Sequence, residues 1–550
     1  MILARPFRLL LLFVLFVLVP LGLRPMWIPD ESRYAEIARE MLESGDWVVP
    51  TLLGMHYFEK PVAGYWFTAV SQAVLGENLF ASRLPGALAT GLSALVVGVL
   101  AQRMWHDPRK AWIAVLVYLS FVLVSGMALY ITLDPQLAFW LNLALLGLHV
   151  ATTTAGPGRR LAAWALLGAA CGMAFLTKGF VAWLLAFLVV VPYMLWQRRL
   201  GGLLRFGPMA VLVAVATAAS WGLAVQRQAP DFWNYFFWNE HIRRFAGANA
   251  QHGEPFWFYL PVLVLGCLPW LGMLVPALRR AWAEKQDANI GFLLIWLLFP
   301  LVFLSLARGK LPTYILPCFT PLALLLAHTL APQLDDGRPG KLFKINGGIN
   351  GVIGITGLAL LLIAAGRGIY TLEDRTAWLL AAAISCVWLV VAAAQWWRPL
   401  RYWELSALPL WLLWICLPKL LTQDQIDSKE PSVFIQSHIG TLSQTRFLLG
   451  NDPGLSADLA WNLRRTDITV YGRKGELEYG LATPAGFGRF VSHDEIGAWI
   501  SSARRQGSVT LVLRVRGDDD LDLTALPKGA ALRDLRNKLA LVSYSQESVP

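Results

Sequence analysis

Asp30, Arg33 and Tyr34 recur at i, i+3 and i+4 in a helical pattern behind Pro29, so a carboxylate, a guanidinium and a phenol share one helix face. That combination suits a sugar phosphate. Asp30 also occupies the place of an N-cap, and the spacing alone leaves capping and ligand binding equally open. Tyr57, Glu59 and Lys60 follow in the segment His56-Tyr57-Phe58-Glu59-Lys60-Pro61. Lys60 suits a phosphate and Glu59 a hydroxyl or an amine; a snorkelling lysine paired with its neighbour is the plainer alternative. Asp134 precedes Pro135 at the head of an apolar run, which is also ordinary helix-start chemistry. Lys178 separates two apolar runs, and Lys310 lies in Arg308-Gly309-Lys310 just before Tyr314. Glu240, Arg243 and Arg244 share a helical face, where solvated salt bridges are the plain alternative to ligand contact. His241 and His252 lack the spacing of a metal pair. A divalent metal on Glu59 or His241 is left as the alternative to metal-free chemistry. There is no P-loop, no GxGxxG after a strand and no GxSxG, so nucleotide chemistry is not expected.

The elements that must position these groups are set by composition. Of 550 residues, 56% are hydrophobic and 15% charged, against about 25% charged in soluble domains. Mean hydropathy is +0.51, and the 25 Trp suit a membrane–water interface. These values exclude a soluble enzyme, a disordered chain or a disulfide-rich secreted domain as descriptions of the whole. The net charge of +11 points to cytoplasmic loops rather than to nucleic acid. Five cysteines lie in apolar runs without a CxxC pair, so neither structural disulfides nor a zinc-thiolate site is expected.

A spanning helix needs about 20 mostly apolar residues. Thirteen such stretches are read, at 7–23, 85–102, 111–128, 134–151, 161–177, 179–196, 207–225, 257–278, 290–306, 313–331, 349–366, 377–396 and 402–420. The first lacks a small-residue cleavage site and reads as a retained anchor. With Arg5 and Arg8 in the cytoplasm, every cytoplasmic loop is net positive. The C-terminus then lies on the opposite side. Lys178, Arg308 and Lys310 fall in short outer turns, against that trend, and suggest an anionic ligand on the outer face.

The expected architecture is a multi-pass α-helical membrane protein with a small C-terminal α/β domain. Residues 1–421 form a transmembrane domain with outer loops 24–84 and 226–256, and residues 422–550 form the α/β domain. Its strands are read at Thr445–Leu449, Ile468–Tyr471, Val509–Val515 and Leu539–Tyr544, and its helices at Leu455–Arg464 and Asp494–Arg505. No internal repeat and no pair of inverted halves is found.

Five motifs give these residues a family context. Asp30-Glu31 with Tyr34, Glu59-Lys60-Pro61, Leu133-Asp134-Pro135, Thr177-Lys178-Gly179 and Gly309-Lys310-Leu311-Pro312-Thr313-Tyr314 resemble the GT-C glycosyltransferases that use polyprenyl-phosphate sugars. The longer stretches Tyr34–Pro50, Tyr57–Trp66, Phe232–Phe245, Ala250–Pro261 and Gly266–Gly272 resemble one branch, the lipid A 4-amino-4-deoxy-L-arabinose transferases. The likeness covers most of 20–330 and returns around Gly488–Ser492 and Val509–Val515. Residues 345–420 and much of the tail carry no matched motif.

The resemblance implies a GT-C fold in the bacterial inner membrane with a periplasmic site. The implied donor is undecaprenyl phosphate carrying aminoarabinose, and the implied acceptor is a phosphate of lipid A. Transfer would invert the anomeric centre in one step. Asp30 is the implied principal acid, with Asp134 and Glu59 as the other candidate catalytic carboxylates. Candidate substrate-binding groups are Arg33, Tyr34, Tyr57, Lys60, Lys178, Arg243, Arg244, Lys310 and Tyr314. No cofactor is required in this reading; Glu59 and His241 are the ligands if a divalent metal takes part. Membrane lipids are expected partners, nucleic acid is not, and no oligomeric state is read. An anionic phosphate acceptor needs no general base, so Asp30 would instead orient the amino sugar and stabilise positive charge at the anomeric carbon. Two alternatives stay open: a GT-C transferase moving another sugar such as mannose to protein or lipid, and a lipid-linked sugar transporter. A transporter predicts broken helices and related halves.

Overall fold

An apolar run inside a bilayer must satisfy its backbone N–H and C=O groups internally, which favours helices. The computed structural model describes residues 4–238, 253–335, 340–368, 374–517, 520–536 and 538–547. Among them, eight helices are long and apolar enough to cross a membrane, including Leu79–Trp105, Asp134–Thr153, Pro157–Lys178 and Leu200–Gln228. Three helix pairs meet the same test only together: Pro108–Ser120 with Val122–Ala128, Tyr259–Gly266 with Leu271–Ala283, and Pro399–Lys419 with Gln423–Lys429. Phe7–Gly22 and Phe180–Trp196 are shorter apolar helices. The thirteen apolar stretches fall on these elements, but hydropathy does not reveal which of them run straight.

Two of the breaks complete one another. The first pair bends by 67° and the second by 111°. Val122 N–H donates to Leu268 O at 3.0 Å, and Trp270 Nε1 donates to Ser120 Oγ at 2.8 Å. A backbone N–H at the first break thus meets a backbone carbonyl at the second, as a low-dielectric surround demands, and a side-chain bond ties the two together. The Leu200–Gln228 helix approaches Pro157–Lys178 across Gly168 and Gly172, where a side chain would overlap Ala210 O or Thr217. A G-x-x-x-G spacing is what permits such close helix contact. That packing fixes the helix that ends in Lys178.

By contact density the chain forms two units. One comprises Met1–Leu23 and Arg83–Leu420, the other Arg24–Ser82 and Leu421–Pro550. The segment after the first apolar helix therefore folds with the tail, a grouping that is not drawn from sequence.

In the second unit, the Asp30–Ser44 helix packs on Ala63–Leu75 and on Pro453–Leu463. Ser32 Oγ donates to Gly454 O at 2.8 Å, and Gly454 has no room for a side chain against Pro29. Strands β1 (Thr51–Leu52) and β2 (Met55–His56) form a hairpin. Its turn residues Leu53 and Gly54 both have positive φ, 57° and 70°, as a two-residue turn of this type requires. Buried Glu40 compensates for the non-glycine residue by accepting from Leu53 N–H at 2.6 Å and Gly54 N–H at 2.9 Å.

The tail carries a six-stranded sheet built from β3 (Phe447–Gly450), β4 (Thr469–Tyr471), β5 (Phe490–Val491), β6 (Val509–Arg514), β7 (Leu532–Arg536) and β8 (Leu539–Tyr544). The order is β5-β4-β3-β6-β8-β7. The first four strands are parallel, while β8 is antiparallel to β6 and β7. Helices Pro453–Leu463 and Ile496–Arg504 connect the parallel strands. The four expected strands and two expected helices are present. Strands β5 and β7 are additions; one has two residues and the other is mostly exposed, so neither has a readable apolar period.

Candidate active site

In the second unit the Asp30–Ser44 helix begins with Pro29 as its cap and no side-chain cap bond. Capping, the plain alternative for Asp30, is therefore not the role of its carboxylate. Asp30 Oδ1 instead accepts from Arg33 Nη2 at 2.5 Å, one turn along. Neighbouring Glu31 serves the helix start: its Oε2 accepts from Trp27 N–H at 2.8 Å and pairs with Arg24 Nη1 at 2.5 Å.

Arg33 is held on every side. Its Nε donates to Pro29 O at 3.1 Å and its Nη1 to Tyr57 Oη at 3.1 Å. It also forms an ion pair with Glu476, a residue of the tail. Tyr57 Oη donates to Glu476 Oε2 at 3.0 Å. The Arg33 side chain is 6% exposed, whereas Asp30 is 36% and Glu476 20% exposed. Burial alone would lower the Arg33 pKa. The anionic Asp30 and Glu59, with the Tyr57 hydroxyl oxygen that accepts from Arg33, outweigh it and hold the group above its ordinary value. Burial raises the phenols of Tyr34 and Tyr57 well above their usual range, so both stay neutral. The rings of Tyr34 and Tyr65 lie 5.9 Å apart.

Glu59 is buried. Lys60 Nζ donates to Glu59 O at 2.8 Å and stands 3.9 Å from its carboxylate. The expected pairing of these neighbours is thus present, but it is loose, and the backbone carbonyl takes the closer contact. In this unit Asp30, Arg33, Tyr34 and Tyr57 form one cluster of contacts.

The first unit holds the second cluster. Asp134 is the first residue of its helix, and Leu133 caps it without a side-chain bond. The capping alternative fails here also, because the carboxylate is engaged elsewhere. Asp134 Oδ1 accepts from Lys178 Nζ at 2.5 Å and Oδ2 from Thr132 Oγ1 at 3.0 Å. Lys178 Nζ also sits 4.4 Å from the centre of the Tyr314 ring, a cation–π contact. Lys310 is buried and donates to Glu254 O at 2.8 Å. Asp134, Lys178 and Tyr314 are therefore brought together from three distant stretches of sequence.

Arg243, Arg244 and His241 lie outside the described residues. Among the described residues no three His, Cys, Asp or Glu side chains group as metal ligands. Sequence reasoning missed Glu476 and Thr132. Thr132 sits one residue before a flagged motif. Glu476 lies in Gly475-Glu476-Leu477-Glu478, which carries no spacing signal; only folding marks it. Chemically, the first cluster offers a partly exposed carboxylate backed by a fixed guanidinium and two neutral phenols. The second offers a lysine whose charge a carboxylate compensates.

Residues 426–543 match the model of the arabinosyl transferase ArnT C-terminal domain. Residues 5–236 match the dolichyl-phosphate-mannose-protein mannosyltransferase model. An undecaprenyl phosphate-alpha-4-amino-4-deoxy-L-arabinose arabinosyl transferase of Pseudomonas aeruginosa (strain UCBPP-PA14) is 47% identical, covering 98% of both chains. One so named from Aeromonas hydrophila is 46% identical over 92% of this chain and 93% of its own. The crystal structure of ArnT from Cupriavidus metallidurans bound to undecaprenyl phosphate superposes with a TM-score of 0.80 at 26% identity, covering 97% of each chain.

Proposed function

The chain belongs to the undecaprenyl phosphate-alpha-4-amino-4-deoxy-L-arabinose arabinosyl transferase family, and from that membership we propose that it moves 4-amino-4-deoxy-L-arabinose from undecaprenyl phosphate to a phosphate of lipid A. It is a multi-pass membrane glycosyltransferase of the GT-C fold. The reaction is assigned to the periplasmic face of the inner membrane, with inversion at the anomeric carbon. The observation that carries this reading is the 47% identity to named arabinosyl transferases over 98% of the chain.

The phosphate acceptor attacks as an anion, so no side chain need remove a proton from it. Asp30 is the acid proposed to face the amino sugar. Its carboxylate is the most exposed member of its cluster, and Arg33 fixes its direction. As the sugar–phosphate bond lengthens, positive charge grows at the anomeric carbon, and a fixed carboxylate stabilises it. Lys60, Lys178 and Lys310 are proposed phosphate contacts. Lys178 is neutralised by Asp134 before ligand arrives, so a bound phosphate shares an existing charge pair rather than meeting a free cation. The chemistry is proposed to run without a metal, since Asp30 and Asp134 already have cationic side-chain partners.

The test is transfer by purified enzyme from undecaprenyl phosphate-linked aminoarabinose to lipid A, read by mass spectrometry with and without chelator. Modified lipid A at equal rates in both arms is expected. Transfer from a mannose donor alone would favour the mannosyltransferase reading. Loss with chelator and return with a divalent ion would overturn the metal-free reading.

A further inference from the structure

Glu476 is the tail's contribution to the Asp30 cluster. It lies in the turn Gly475–Leu477 after β4. Leu477 beside it is fully buried. Two further contacts hold this part of the tail against the segment that follows the Asp30 helix. The ring of Tyr479 packs 5.0 Å from that of Phe58, and Gly480 has no room for a side chain against Met55 and His56. The Glu476 carboxylate is therefore delivered by fixed backbone. It pairs with Arg33 and accepts from Tyr57 Oη at 3.0 Å.

The charges make this placement consequential. With Arg33 and Asp30 alone, one cation and one anion would cancel, and the pair would present little field to a substrate. Glu476 adds a second anion on the same guanidinium. The set Asp30, Glu476 and Arg33 then carries one surplus negative charge. Asp30 is its most exposed member, at 36% against 20% and 6%. Attraction to a cationic group is strengthened where charges are partly withdrawn from water.

We propose that Glu476 is a positioning residue that takes up the Arg33 charge, leaving Asp30 net anionic toward the protonated amine of the sugar and so selecting an amino sugar over a neutral pentose. The inference rests on the reading of Asp30 as the acid facing that sugar. It gives the tail a part in substrate choice.

The experiment compares wild type, Glu476→Gln and Glu476→Asp in the full chain. Each is given undecaprenyl phosphate carrying aminoarabinose or carrying plain arabinose, and kcat and KM are measured separately for both. Gln keeps the hydrogen bond with Tyr57 and drops the charge. Glu476→Gln is expected to lose roughly ten-fold or more in kcat/KM for the amino sugar, the size of one charged contact, and clearly less for the neutral sugar, which offers Asp30 the anomeric charge alone. Glu476→Asp restores part of the preference. A wild type inactive on the aminoarabinose donor would defeat the functional reading itself. An active wild type with unchanged preference in Glu476→Gln would defeat only this inference, as would equal losses on both donors, which show that the amine is not selected. If Glu476→Gln fails to fold, Glu476→Asp decides: an unchanged preference in a folded variant whose shorter side chain has left Arg33, seen in its structure, overturns the proposal.

Discussion

Lys178 Nζ donates to Asp134 Oδ1 at 2.5 Å, tying the last residue of one apolar helix to the first residue of another. Both side chains are largely withdrawn from solvent, 11% and 6% exposed. Removing one partner of such a pair leaves an uncompensated charge, at a cost of about 3–5 kcal/mol. Lys178→Met and Asp134→Asn are each expected to lower thermal stability. The double variant should recover much of the stability without recovering transfer. A double variant with near-normal activity would reduce the pair to a structural tie.

Asp30→Asn separates charge from geometry. Asn can still accept from Arg33, and the helix start loses no side-chain cap. Fold and expression are expected to persist while single-turnover transfer falls by about 100-fold or more. The loss should appear in kcat rather than KM, because the carboxylate acts most strongly on the charge of the transition state. A folded variant with near-normal turnover would pass the leading role to Glu59 or Asp134.

Asp458 makes the tail's stability depend on pH. It is fully buried in the Pro453–Leu463 helix. Burial raises its pKa from 3.8 to about 7, against hydrogen bonds from Ser432 and Asn462 that favour the charged form. The folded value lies above the unfolded one, so the folded state holds the proton more tightly. Its contribution is fully present below about pH 4 and is lost as pH rises to about 7, at about 1.4 kcal/mol per pH unit. Asp458→Asn should flatten the dependence of the melting temperature on pH between about 4 and 7. An unchanged slope would show that another group sets it.

The five cysteines are free thiols, three of them buried. A variant with all five replaced by alanine is expected to retain transfer, because none of the proposed contacts uses sulfur. Lost activity at normal expression would reveal a thiol role.

Orientation is open to a direct test. Alkaline phosphatase, active only when exported, is fused after residue 425 or after residue 340. Activity is expected at 425 alone. The reverse pattern would invert the assigned topology.

Much of this protein was legible along the chain. Apolar runs of spanning length locate its membrane helices because a bilayer leaves the backbone few other choices. Positions i, i+3 and i+4 bring Asp30 and Arg33 together because helix geometry is local. The Asp134-Pro135 and Lys178 motifs were visible as charges that topology did not require. Their pairing was not, since 43 residues separate them and no local period links such distant positions. The bends at Phe121 and Leu268 are equally non-local, each break using bonds supplied by the other. Only the tertiary structure decides that Asp30 and Asp134 are paired acids rather than caps, because a cap and an ion pair begin from the same residue type in the same place. It alone brings Glu476 to Arg33 across more than 400 residues. Sequence period encodes which faces of an element are apolar; which carboxylate meets which cation is set by how those faces pack.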